Sequence, residues 1–236
     1  MEISTDKLQA NVAKIRELIP ENTKIWVVTK GDAYGLGAIA ACKVISDKVE
    51  GFCVATIHEG IELRKAGIKN SIFLLSEPLK VDFPKIIQFD LDISLYSEHI
   101  VKALDLYVQK HNVKVKTHFK IDTGLPRLGH NPDTEGPVLD QWFSTHKNIE
   151  KVAIWTHLQN AETGDHGKDN DLLSLQQKQK FYDVVSKYPK VQYHLANSFA
   201  TEFLDGFHAD IVRPGVCIWE DTFTLSNGTE NNKVCK

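Results

Sequence analysis

A parallel (β/α)8 barrel of the TIM type is the fold this sequence predicts, and three observations point to it. Eight short apolar, β-branched runs recur along the chain, each separated from the next by a segment of helical character. The chain has 236 residues, close to the roughly 250 that eight such units occupy. No strand candidate is followed by the Gly-x-Gly-x-x-Gly turn that would favour the runner-up, an open doubly wound sheet. Composition sets the outer bounds. With 42% hydrophobic residues the chain can fill a sizeable core, and a net charge of -3 gives no electrostatic footing for nucleic acid or an anionic membrane. Its longest apolar runs fall short of a bilayer span, and the polar start from Met1 to Lys14 reads as helix rather than signal peptide.

The elements follow in order. Ser4 or Thr5 caps an extra N-terminal helix running to about Ile19, with Leu8, Val12, Ile15 and Ile19 on one apolar face. Pro20-Glu21-Asn22 ends it. The first strand, Ile25 to Thr29, stops at Lys30 and passes into the glycine-punctuated turn Gly31-Asp32-Ala33-Tyr34-Gly35-Leu36-Gly37. Ala38 to Ser46 is helical and Phe52 to Thr56 is the second strand. A helix from about Ile57 closes at Gly67, and Glu59, Glu62, Arg64 and Lys65 have the spacing of a solvated face. Ser71 to Leu75 is the third strand, Pro78 opens the next helical stretch, and Leu91 to Leu95 is the fourth strand. After a helix from Ser97 to His111, Val113 to Ile121 alternates apolar and polar residues with period 2 and gives the fifth. Thr134 to His146 is helical, Ile149 to Thr156 is a strand, and Leu172 to Ser186 is an amphipathic helix. Val191 to Ala196 and Asp210 to Arg213 complete the eight. The barrel therefore takes residues 1–219, and the polar stretch 220–236, without apolar period, is expected to be a disordered tail. Cys42, Cys53, Cys217 and Cys235 lack metal-ligand spacing, which predicts no metal site and reduced thiols in a cytoplasmic setting.

On such a barrel the chemistry stands just beyond the carboxyl ends of the strands. Lys30 has that place after the first strand, where a partly desolvated amine can form a Schiff base with an aldehyde cofactor. The plain alternative is a surface lysine before an ordinary loop. After the fifth strand comes Lys120-Ile121-Asp122-Thr123-Gly124-Leu125-Pro126-Arg127-Leu128-Gly129, in which the forked guanidinium of Arg127 suits a carboxylate. It could equally close a turn at the surface. His157 follows the sixth strand in Thr156-His157-Leu158-Gln159-Asn160-Ala161-Glu162, a place where structural histidines are also common. The seventh strand ends in Ala196-Asn197-Ser198 before a short helix, whose hydroxyl and N–H groups suit a phosphate, or simply cap the helix. The eighth gives Val212-Arg213-Pro214-Gly215-Val216.

Taken together and in this order, these motifs resemble those of the alanine racemases, from about Thr5 to Trp219. The Lys30 segment is similar to that family's Lys-Ala-Asp/Asn-Ala-Tyr-Gly-His-Gly, with Gly31 where alanine is usual and Leu36 where histidine is usual. The Lys120 segment is similar to Lys-Val-Asp-Thr-Gly-Met-x-Arg-Leu-Gly, with Pro126 in place of a small residue. His58 to Gly67 is similar to the family's Glu-Ala-Leu-x-Leu-Arg-x-Ala-Gly and is read as helix packing. The resemblance implies pyridoxal 5'-phosphate joined to Lys30, which then serves as the base on one face of the substrate α-carbon. It places Tyr34, Asn197, Ser198 and the N–H groups of Gly215 and Val216 at the cofactor phosphate. His157 would lie against the ring or in its hydrogen-bond network, and Arg213 would donate to the ring nitrogen. Arg127 would receive the substrate carboxylate, with Lys120, carbamylated in some members, holding that arginine. The family continues into a β-rich C-terminal domain, which supplies a tyrosine as second base across a homodimer interface. The present 236 residues show no counterpart of that domain, and Tyr193 is their last tyrosine. The expectation is an alanine racemase, or its barrel domain, interconverting L- and D-alanine, with the homodimer weakened or lost. The alternative is a non-racemising pyridoxal-phosphate carrier or homeostasis protein on the same barrel. The segment Asp32-Ala33-Tyr34-Gly35, absent from the lysine loop of that group, favours the racemase.

Overall fold

The computed structural model describes residues 3–133, 138–159 and 168–219. The expected tail 220–236 and the first residues of the expected Thr134 helix lie outside the described residues. In chain order the elements are α1 (Thr5–Leu18), β1 (Lys24–Val28), α2 (Lys30–Tyr34), α3 (Ala38–Ile45), β2 (Gly51–Val54), α4 (Ile57–Lys65) and β3 (Ser71–Leu74). After a 3-10 turn at Lys80–Asp82 come α5 (Phe83–Gln88), β4 (Asp92–Leu95), α6 (Glu98–His111), β5 (Lys116–Lys120), α7 (Val138–Thr145) and β6 (Glu150–Trp155). Then follow α8 (Lys168–Val185), β7 (Gln192–His194), α9 (Ser198–Phe203), β8 (Ile211–Val212) and α10 (Val216–Trp219). Eight parallel strands alternating with helices behind one extra helix make this the (β/α)8 barrel class. Each segment expected as a strand overlaps one, β1 and β2 beginning one residue earlier than expected and the fifth being shorter than its alternation suggested. Neither α2 nor α10 was legible as a helix.

The described residues group into two compact units, 3–72 with 195–219, and 73–194. In the first unit β1 pairs with β2 on one side and β8 on the other, with Trp26 opposite Gly51 and Lys24 opposite Ile211. Gly51 is required by that register, since a Cβ there would lie 2.8 Å from the Trp26 ring. Helix α1 begins at Ser4, whose hydroxyl accepts from Lys7 N, and buries Leu8, Val12 and Ile15. Each such aliphatic side chain contributes about 1.5–3 kcal/mol on burial. Asn11, buried on the same face, donates to the Ile218 carbonyl at 3.2 Å and so fastens α10 to α1. Trp219 donates through its indole N–H to the Val28 carbonyl at 2.6 Å, and Val28 N donates to the Pro214 carbonyl at 2.8 Å. The end of β1, one residue before Thr29 and Lys30, is thus fixed from the β8–α10 side.

In the second unit β4, β5, β6 and β7 pair in sequence, with the end of β3 beside β4. Phe119, Trp142, Phe181 and Ile154 are buried in it. Strand β5 carries an irregularity at Thr117/His118, where its partner β6 advances from Lys151 to Ala153. Two polar residues of that alternation, His118 and Lys120, are buried along with the apolar ones. His118 is fully enclosed, with Nδ1 3.1 Å from His194 Nε2 and Nε2 3.6 Å from the buried Asp92 carboxylate. Lys120 is 3% exposed and lies over the Trp155 ring at 4.9 Å.

Candidate active site

The candidate residues of the first unit meet at the ends of β1 and β8. Past Thr29 the chain makes a single left-handed turn: Gly31, Asp32, Ala33 and Tyr34 all have φ between 53° and 62°. L-residues resist this hand by roughly 1–2 kcal/mol each, so the turn persists only where its surroundings hold it. The Asp32 carboxylate accepts from Ala38 N at 2.7 Å, and Gly35 N and Gly37 N close back onto the carbonyls of Gly31 and Asp32. The turn carries the Tyr34 ring beneath Lys30, whose Nζ lies 5.9 Å from the ring centroid. Lys30 itself is exposed, where the sequence had suggested partial desolvation.

Opposite Tyr34 is a glycine cradle. A Cβ on Gly215 would stand 2.8 Å from the Tyr34 hydroxyl and 3.2 Å from Val28 Cβ, so only glycine lets these groups come so near. Gly215 N donates to the Ser198 hydroxyl at 2.8 Å. Ser198 is available for this because the cap of α9 is Asn197, whose side chain accepts from Ala200 N at 3.1 Å. Of the two readings left open for Asn197-Ser198, the cap belongs to Asn197, and the serine hydroxyl faces the glycine instead. Val216 follows as the first residue of α10. Two hydroxyls and the start of a short helix around a bare glycine are a donor set that fits a phosphate group.

Arg213 is wholly buried below this cradle and lies 3.4 Å from the Leu195 carbonyl. Its burial pushes the guanidinium down to about 10, which still leaves it charged at neutral pH. A fixed cation there can donate to a ring nitrogen and deny it a proton.

Sequence reasoning missed Glu202, on the buried side of α9. Neither carboxyl oxygen meets a nitrogen or hydroxyl donor among the described residues, and the group that faces it is the Cys217 thiol. Burial pushes this carboxyl from 4.5 up to about 7, and pushes the Cys217 thiol well up in turn. Between those two values the folded chain retains a proton that the unfolded chain releases. Stability therefore falls as pH rises from 4.5 to about 7 and stays reduced above, by on the order of 3 kcal/mol. Glu202→Gln is expected to flatten this dependence. Urea unfolding at about pH 5 and about pH 8 measures it, and an equal drop in the variant would assign the effect to another group.

In the second unit, Arg127 is exposed on a loop that closes on itself. Asp122 N donates to the His130 carbonyl and His130 N to the Lys120 carbonyl, while the Asp122 carboxylate accepts from Gly124 N and Leu125 N. The Lys120 amine donates to the carbonyl of Leu128, the residue after Arg127. It therefore grips the arginine's loop through the backbone. Half-buried His157 is held through its own carbonyl, 3.4 Å from the Gln177 amide. Gln177, on α8, also accepts from Gln159 N and donates to Thr123, tying the loop after β6 to the loop after β5. Nothing in the amphipathic pattern of α8 singled it out. Among the described residues no cluster of histidine, cysteine and carboxylate side chains could hold a metal ion, and no helix is long and apolar enough to cross a membrane.

A sequence model described as the alanine racemase N-terminal domain matches residues 3–222. The alanine racemase of Treponema denticola is 31% identical over 223 residues, and that of Prochlorococcus marinus 32% over 225. These alignments take in 92% and 93% of the chain, which spans 58% of the length of each relative. Among solved structures, alanine racemase from Clostridium difficile 630 in complex with cycloserine superposes with a TM-score of 0.89 at 25% identity, over 98% of this chain and 65% of that one. The alanine racemase from E. faecalis gives 0.86 at 26%, over 98% and 63%. With a family match running from the first described residue to beyond the last, the chain belongs to the alanine racemase family, in the portion that forms its N-terminal barrel.

Proposed function

We propose that the chain binds pyridoxal 5'-phosphate at Lys30 and serves as the barrel of an alanine racemase, in a reduced, cytoplasmic setting. The observation that carries this is the meeting of Tyr34, Ser198 and the bare Gly215 at the strand end that bears Lys30. Pyridoxal phosphate, when bound, supplies a conjugated ring that stabilises negative charge developing at the substrate α-carbon. The Tyr34 and Ser198 hydroxyls and the N–H groups of Gly215 and Val216 would hold the phosphate, with Asn197 orienting Ser198 by capping α9. For Gly215 this means exchanging its bond to Ser198 for one to the phosphate. Arg213 would donate to the ring nitrogen as a permanent cation, His157 would support the ring, and Arg127 would receive the alanine carboxylate as a fork. Lys120 keeps the Arg127 loop in place through Leu128. Lys30 would anchor the cofactor through its amine; once the substrate amine has displaced it, the freed Lys30 Nζ would take or return the α-proton on one face.

The reading is tested by adding pyridoxal phosphate to the purified chain, reducing with borohydride and mapping the labelled peptide. A label on Lys30 is the expected result, and a label elsewhere overturns the assignment. A carrier without turnover would be labelled at the same lysine yet exchange no α-proton of alanine, which separates the two readings.

A further inference from the structure

Helix α4 bears one carboxylate whose contacts do not stop at its own helix. Glu59 is the third residue of α4, and with Thr56 it forms a reciprocal cap: Glu59 N donates to the Thr56 hydroxyl at 3.3 Å, and Glu59 Oε2 accepts from Thr56 N at 3.0 Å. Such a box is an ordinary way to begin a helix. Here, however, Oε2 also accepts from Ala55 N at 2.7 Å, and Oε1 reaches across to accept from Gly31 N at 2.9 Å. The charge that the sequence pattern assigned to a solvated face is half-buried and takes three backbone N–H groups from two separate segments.

The Gly31 N–H belongs to the peptide plane that leaves Lys30, so its direction fixes ψ of the lysine and the base of its side chain. That plane also starts the four-residue left-handed turn, whose cost has to be met by contacts outside it. Close packing does not meet it on the α4 side. A cavity of about 70 Å3 lies there, lined by Thr29, Asp32, Val54 and Leu63 along with Glu59 itself. Where side chains leave a gap, a charged hydrogen bond links turn and helix. Hydrogen bonds to charged groups are worth about 1.5–3 kcal/mol, comparable with the strain of one or two left-handed residues.

We propose that Glu59 is the positioning residue for Lys30, holding the Lys30–Gly31 peptide against the start of α4 so that the amine is presented in one conformation. This rests on the reading of Lys30 as the cofactor-bearing lysine. A carboxylate is needed because both of its oxygens accept. A glutamine has one accepting oxygen and one NH2, so it faces either Gly31 N or the Ala55/Thr56 pair with a donor against a donor.

The test compares the full chain with Glu59→Gln, Glu59→Asp and Thr56→Ala. Asp is one methylene shorter, keeps the negative charge at the helix start and withdraws from Gly31. Thr56→Ala breaks the other half of the cap and leaves the Glu59 carboxylate where it is. Two quantities are read: amide hydrogen exchange of the peptide covering residues 30–37, and the rate of borohydride-trapped pyridoxal phosphate labelling at Lys30. Glu59→Gln and Glu59→Asp are expected to speed exchange in that peptide by about tenfold to a hundredfold and to slow labelling, while Thr56→Ala resembles the parent in both. Unchanged exchange in the Glu59 variants, or equal changes in Thr56→Ala, would overturn the proposal and reduce Glu59 to a helix cap. If the parent chain is not labelled at Lys30, the cofactor assignment fails, and the exchange data still decide whether Glu59 holds the turn.

Discussion

The 236-residue chain is expected to exchange the α-proton of D-alanine into deuterated water and to leave L-alanine essentially untouched. Racemisation needs a proton removed from one face of the α-carbon and another delivered to the opposite face. On the proposed reading Lys30 serves one side only, the side that the family resemblance links to the D enantiomer. The resemblance assigns the opposite face to a tyrosine outside the barrel portion, and among the 236 residues to be assayed Tyr193 donates its hydroxyl to the carbonyls of Val185 and Tyr188. A positioned acid–base group is worth about 10²–10⁴-fold, so racemisation by this chain alone should lag one-sided exchange by a factor of that order. Proton NMR of each enantiomer, run separately with added pyridoxal phosphate, measures both rates. Equal turnover in the two directions would require a second base within these residues and would overturn the one-base account.

Gly215→Val is expected to have the next largest effect, a loss of pyridoxal phosphate affinity of about tenfold to a hundredfold from overpacking alone. The first atom of any side chain there already falls 2.8 Å from the Tyr34 hydroxyl, and Val28 closes the other side at 3.2 Å. The Tyr34 ring must move, and with it the turn that carries Lys30. Equilibrium titration of the cofactor by fluorescence gives the affinity. Thermal unfolding without cofactor shows whether the chain still folds, and Gly215→Ala serves as the milder variant if it does not. An unchanged dissociation constant in both variants would remove Gly215 from the phosphate site.

Where the sequence was informative, it was through periodicity and strand ends. Strands such as Lys24–Val28 and Gly51–Val54 are short and apolar, so local pattern and tertiary placement agree. Strand β5 shows how far period 2 reaches: it identifies the strand and leaves the surroundings of its polar residues open. Alternation of His118 and Lys120 with Thr117 and Phe119 looks like one wet and one dry face, yet all four are buried. In a parallel sheet covered on both sides, the polar residues are matched to one another, and period 2 says nothing about which partner they find. Glu59 was misplaced for the same reason: the spacing of charges on α4 is that of a solvated face, and only the fold brings Gly31 N to its carboxylate. Glu202 escaped notice because a helix of six residues is too short for its pattern to show which side faces the core.

The left-handed turn after Lys30 restricts the chain by chirality rather than by volume. Nothing lies within 4 Å of a Cβ built on Gly35 or Gly37, so by crowding alone either position would accept any small side chain. Their φ values of 89° and 91° are nonetheless ones that L side chains rarely adopt. Ala33, enclosed and at φ 53°, has already accepted that penalty. For mirror-image residues the preference inverts, and the same backbone becomes their relaxed helical form. A chain assembled by chemical ligation with D-alanine at position 33 would therefore shed strain where its natural counterpart holds it, although the D methyl would point away from the pocket the L methyl fills. Substitution in this segment is judged by handedness first and by size second.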